Sequence, residues 1–102
     1  MDAFYLEIAM RVSGGAEGLE QYLDHVLEQL LVDDRATDPD YVASLADGRV
    51  EFALTVTAPD QGEALAEAIE IVHTALRAAE AEGPGWESRF QETQSLVRSA
   101  VA

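Results

Sequence analysis

The sequence predicts an α+β sandwich, a four-stranded sheet with two helices on one face, in the order strand, helix, strand, strand, helix, strand. Three observations predict it. Apolar and polar residues alternate at period two over residues 4–12 and 50–57, the pattern of half-buried strands. Two other stretches, 19–31 and 65–76, repeat their apolar residues at three- and four-residue steps, the pattern of amphipathic helices. The length of 102 residues, with 48% hydrophobic and 25% charged residues, suits one domain around one core, 1–102.

In the first strand Phe4, Leu6, Ile8, Met10 and Val12 face the core, and Tyr5, Glu7, Ala9 and Arg11 face the other way. Ser13-Gly14-Gly15 breaks the strand. The helix that follows carries Leu19, Tyr22, Leu23, Val26, Leu27, Leu30 and Leu31 on its apolar stripe, with Glu17 and Glu20 near its positive end. Gly18 reads as a weak point in the first helical turn.

Residues 33–40 are polar, contain Pro39 and lack an apolar period, so they read as a loop. A strand over 41–46, a turn at Asp47-Gly48 and a strand over 49–57 then read as a hairpin, because Asp-Gly suits a type I′ turn with positive φ at both central residues. Val50, Phe52, Leu54 and Val56 point to the core, opposite Glu51, Ala53, Thr55 and Thr57. Asp60 is placed to cap the second helix through the backbone N–H of Glu63. Leu65, Ile69, Val72 and Leu76 form the predicted stripe of that helix, which Gly83-Pro84-Gly85 stops. Beyond Trp86 the pattern fits either a helix or a strand. A strand over 91–100, with Trp86 and Phe90 covering one end of the core, is chosen because it completes a sheet that shelters the first strand.

This order of elements resembles the ferredoxin-like, or split βαβ, fold over nearly the whole chain. The stretch from the second helix through Arg77 to Gly83-Pro84-Gly85-Trp86 is also similar to a feature of short proteins of high-GC actinobacteria and their mobile elements, a resemblance that implies no chemistry.

Charge narrows the function. Twenty acidic residues against six basic ones, all arginine, give a net charge of −14. Nucleic acids and anionic membranes both need a positive surface, so neither is an expected direct partner. A basic partner would be attracted. With no cysteine, disulfides, thiolate metal sites, iron–sulfur clusters and cysteine nucleophiles are excluded. The apolar runs are too short to span a membrane and the N-terminus lacks a signal-peptide pattern, which predicts a cytoplasmic protein.

The candidate constellations read as structural. His25 and His73 lie beside the apolar stripes of different helices, without a serine or acid at a nucleophile or metal spacing, so no catalytic histidine is assigned. Asp33, Asp34, Asp38 and Asp40 lack the glycine and terminal glutamate of a calcium loop and read as solvated turn residues. Gly14, Gly15 and Gly18 lack the lysine of a phosphate-binding loop. Glu7 and Glu51 could form an acid–base pair, but cross-strand pairing with Arg11 and Arg49 is the simpler account.

What remains is the open sheet face, where Ala9, Ala53, Thr55 and Thr57 form an uncharged strip. The function expected from it is a non-enzymatic interaction module that self-associates as a homodimer through this face or an edge strand, with Tyr5, Glu7, Arg11, Glu51, Ala53 and Thr55 as contact residues. No catalytic residue, metal or cofactor is assigned. The alternative is an acidic inhibitor or nucleic-acid mimic that presents Asp24, Glu28, Glu67, Glu70 and Glu80 to a basic protein. A small enzyme of the dimeric α+β barrel kind, using Tyr5, Glu7 and Arg11, ranks last.

Overall fold

The computed structural model describes residues 1–15, 17–80 and 85–99. Strand β1 (Asp2–Val12) leads to helix α1 (Leu19–Leu31), strands β2 (Thr37–Ser44) and β3 (Arg49–Ala58), helix α2 (Gln61–Ala79), a 3-10 turn at Glu87–Arg89 and strand β4 (Phe90–Ser99). All pairings are antiparallel and the strand order is β2-β3-β1-β4, so β1 and β3 are interior. This is the ferredoxin-like α+β sandwich that the pattern predicts, and of the two readings beyond Trp86 the strand is the one observed, over Phe90–Ser99. Its last predicted residue, Ala100, lies outside the described residues, as do Gly83 and Pro84.

The period-two sets fall where expected. Phe4, Leu6, Ile8, Met10 and Val12 on β1 and Val50, Phe52, Leu54 and Val56 on β3 are buried in one cluster with both helices. Each such Leu, Ile or Phe contributes about 1.5–3 kcal/mol through removal from water. On α1, Leu19, Tyr22, Leu23, Val26 and Leu30 are buried, whereas of the other two residues expected on the stripe Leu27 is half-buried and Leu31 is 62% exposed. Gly18 is not in the first turn but is the N-cap, at φ 78°, a left-handed conformation that glycine adopts without steric cost.

Helix α2 is rotated from its predicted stripe. Ala64, Ala68, Ile71, Val72, Ala75, Leu76 and Ala79 are buried, while Leu65 and Ile69 are half-buried at the flank. Four small side chains on the inner face let the helix approach its neighbours closely, and the larger Leu65 and Ile69 cover the margin. The Asp60 cap is in place, with the Glu63 N–H donating to Asp60 Oδ1 at 2.9 Å.

The hairpin differs from the expected one. Strand β2 begins at Thr37, inside the predicted loop, and ends at Ser44. The turn is the four residues 45–48, closed by the pair Ser44–Arg49, and only Gly48 has positive φ, so it is not a two-residue type I′ turn. The period was hidden because β2 is an edge strand, irregular between Thr37 and Asp40, with Asp38 at φ 49°. An edge strand with few buried side chains has little apolar alternation to read. Strand β4 also carries a bulge: Met10 pairs with Glu92 and Ala9 with Gln94, leaving Thr93 to donate its hydroxyl to the Ala9 carbonyl at 3.2 Å. No helix among the described residues is long and apolar enough to cross a membrane.

Candidate functional site

The antiparallel register puts all six predicted contact residues on the open sheet face. Tyr5 lies opposite Thr55, Glu7 opposite Ala53, Ala9 opposite Glu51 and Arg11 opposite Arg49. Strand β4 adds Arg98 opposite Tyr5 and Leu96 opposite Glu7. The expected ion pairs do not form as read. Glu7 meets Arg98, at 3.4 Å, and the Arg98 guanidinium also lies over the Tyr5 ring, 5.0 Å from its centroid. Arg11 and Arg49, expected to neutralise the two glutamates, face each other instead. Leu96 and Val42, 46% and 69% exposed, flank the strip on β4 and β2. Sequence reading missed both, because neither strand register was known.

A second concavity lies elsewhere. A cleft of about 490 Å³ lies between α1 and Trp86, lined by Gly18, Tyr22, His25 and Trp86 together with Gln21, Asp24 and Glu28. Gly18, Tyr22, His25 and Glu28 follow one another at helical steps of four, three and three, so they form one stripe on α1. Such spacing was the available signal for this cleft, and it went unused because the cleft's other wall, Trp86, is distant in sequence.

That wall is held firmly. Trp86 stacks on Tyr22 with ring centroids 5.1 Å apart and an interplanar angle of 12°. The Arg89 guanidinium lies 3.9 Å from the indole centroid and donates to the carbonyls of Ser13 and Gly15, each at 2.6 Å. The 3-10 turn is thereby pinned to the β1–α1 connection. The Tyr22 hydroxyl donates to the Leu76 carbonyl, and burial, with Glu80 and Glu87 adding to it, pushes the phenol well above its ordinary range.

His25 is partly exposed, with Nδ1 3.9 Å from Glu28 Oε2, so a protonated ring would face a carboxylate. Tyr41 donates to Asp24 Oδ1 at 2.8 Å and fixes that carboxylate. The acidic residues read as solvated turn residues divide: Asp33 makes a two-oxygen contact with Arg35, whose hydrogen bonds hold its carboxyl below the usual range, and Asp40 accepts from the Tyr41 N–H. Among the described residues no three His, Asp or Glu side chains are grouped to hold a metal ion.

No family model matches the chain and no curated protein does. Solved structures do. A protein of Chloroflexus aurantiacus described as an antibiotic biosynthesis monooxygenase superposes with a TM-score of 0.63 at 10% identity, over 98% of this chain and 94% of that one. SnoaB of Streptomyces nogalater, a cofactor-independent oxygenase, gives 0.59 at 13% identity, over 100% and 96%. A de novo designed protein with a ferredoxin fold gives 0.54 at 18% identity, over 100% and 89%. At such identities the likeness establishes the ferredoxin-like fold.

The likeness also corrects the functional expectation. The small, uncharged strip of the open face predicts a non-enzymatic interaction module, and the acidic charge of the helix faces predicts a mimic. The architecture is instead that of chains described as oxygenases, matched end to end, and the enzyme ranked last is the reading these neighbours favour.

Proposed function

We propose that this chain is a small oxygenase-type enzyme whose active cleft lies beside α1, with His25 as the proton acceptor. The observation that carries the reading is the cleft itself: an imidazole beside a fixed indole, on a fold shared with SnoaB and the Chloroflexus protein. An oxygenase of the kind SnoaB's description states needs a substrate that is its own reductant. Deprotonation of an acidic C–H does this, since the resulting carbanion can pass electrons to dioxygen. For a ring methylene the balance is CH2 plus O2 giving C=O plus H2O. His25 takes the proton, Glu28 faces the imidazolium, and Trp86, held between the buried Tyr22 ring and the Arg89 guanidinium, borders the cleft as a fixed edge.

The test is oxygen uptake with a panel of enolisable hydroxylated aromatic ketones. One O2 consumed per ketone formed is expected, and His25→Gln should slow it by about 10²-fold or more, the usual scale for a positioned proton acceptor. Uptake no faster than with heat-denatured protein across the panel would refute the reading.

A further inference from the structure

Arg11 and Arg49 stand directly opposite each other on β1 and β3. Side chains so placed have Cβ atoms about 4.5–5.5 Å apart, and like charges there repel. The arrangement is conspicuous in a chain with six cations and twenty acids. The other arginines have visible partners or settings: Arg35 has Asp33 and Glu70, Arg89 has two carbonyls and an indole, Arg98 has Glu7, and Arg77 sits in the last turn of α2, at the negative end of the helix. Among the described residues no carboxylate lies within ion-pair distance of Arg11 or Arg49. Glu51, next along the same face of β3, is opposite Ala9 instead.

The register continues the row with neutral polar side chains. Ser44 on β2 pairs with Arg49, and Gln91 on β4 pairs with Arg11, so hydroxyl, two guanidiniums and amide cross the open face in line. Beside Arg49 is a depression of about 300 Å³ lined by Val42, Ser44, Asp47, Arg49 and Glu51, in which the Ser44 hydroxyl ties down Asp47 at 2.9 Å.

We infer that the Arg11–Arg49 pair is a binding site for a small oxyanion, a phosphate or carboxylate group bridged by both guanidiniums. Guanidiniums present planar forks that match such groups, and a shared anion turns the repulsion between them into attraction. The strongly negative surface elsewhere would repel the same ligand, and with Asp47 and Glu51 bordering the depression the two guanidiniums together supply its hold.

Thermal unfolding in sodium phosphate against sodium chloride at matched ionic strength tests the inference. Phosphate should raise the unfolding temperature by roughly 5 °C at about ten times its dissociation constant. Arg11→Gln and Arg49→Gln should each abolish the saturable part of this rise, while Arg98→Gln, on the same face but paired with Glu7, should retain it. The general salting effect of phosphate is common to all variants and is subtracted by the comparison. Equal behaviour of phosphate and chloride, or loss of the rise in Arg98→Gln to the same extent, would overturn it. Light scattering provides the last arm: a wild-type dimer split by Arg49→Gln but unaffected by phosphate would assign the pair to a second copy's carboxylate and overturn the small-anion site. None of these readouts involves oxygen uptake, so this inference and the proposed activity can fail separately.

Discussion

The hydroxyl of Tyr22 on α1 donates to the backbone carbonyl of Leu76 on α2 at 2.6 Å. At the end of α2 the Glu80 N–H turns to the Arg77 carbonyl, and Leu76 takes its hydrogen bond from the other helix. The same ring stacks on Trp86 and contacts Phe90, so one side chain ties both helices to the start of β4.

Tyr22→Phe keeps the packing and removes the donor, leaving a carbonyl without this partner. It should cost about 1–2 kcal/mol of unfolding free energy. In a chain of this length that corresponds to roughly 4–8 °C per kcal/mol in melting temperature, measured by calorimetry or circular dichroism. An unchanged midpoint would mean that water replaces the hydroxyl.

Stability should fall in alkali through two phenols. Burial, helped by Asp24, pushes Tyr41 up to about 12, and burial raises Tyr22 further. Both are raised above the ordinary 10.0, so the folded chain holds these protons more tightly than the unfolded one. Their contribution is complete below pH 10.0 and disappears as pH climbs through about 12 for Tyr41, with Tyr22 following. Denaturant midpoints measured across that window should decline, and Tyr41→Phe should shallow the decline.

The rotation of α2 predicts different sensitivities for neighbouring stripes. Ala68→Leu inserts bulk into a site with 0% exposure and should cost about 1–3 kcal/mol. Leu65→Ala, at the half-buried flank, should cost less than the 2–5 kcal/mol, roughly, of a core leucine truncation. Urea titration of both variants distinguishes the observed stripe from the one read off the sequence.

Arg89 should behave as a structural clamp. Arg89→Ala removes two hydrogen bonds to carbonyls and the contact with Trp86, and should lower stability by about 1–3 kcal/mol while shifting tryptophan fluorescence. Gly14→Ala approaches the same clamp from the other side: at φ 87° a Cβ would lie 3.0 Å from Arg89 Nε, so the substitution should also destabilise. A fluorescence spectrum unchanged in Arg89→Ala would separate the indole from the clamp.

The strands with one buried face were the most legible parts. Alternation over β1 and β3 named the core residues correctly, because an interior strand pays a large free-energy penalty for any other phase. The edge strand β2 was read late and its turn misjudged, since exposed side chains place little constraint on residue choice. The α2 stripe was half legible: Val72 and Leu76 are buried as expected, but alanines are as acceptable inside as outside, so nothing marked Ala64 and Ala68 as inner in place of Leu65 and Ile69. The open face was assembled from the right residues but with the wrong ion pairs, because pairing across strands depends on register, which one strand alone does not specify.

By itself the sequence determined the class of fold, the composition of the core and the helix cap at Asp60, all consequences of local period and local hydrogen-bonding chemistry. Tertiary structure alone decided that Trp86 would wall a cleft with His25, that Arg98 would take Glu7, and that Arg11 would face Arg49. Those relationships join residues far apart in the chain, and only the packing of helices on the sheet and the register of its strands bring them within reach.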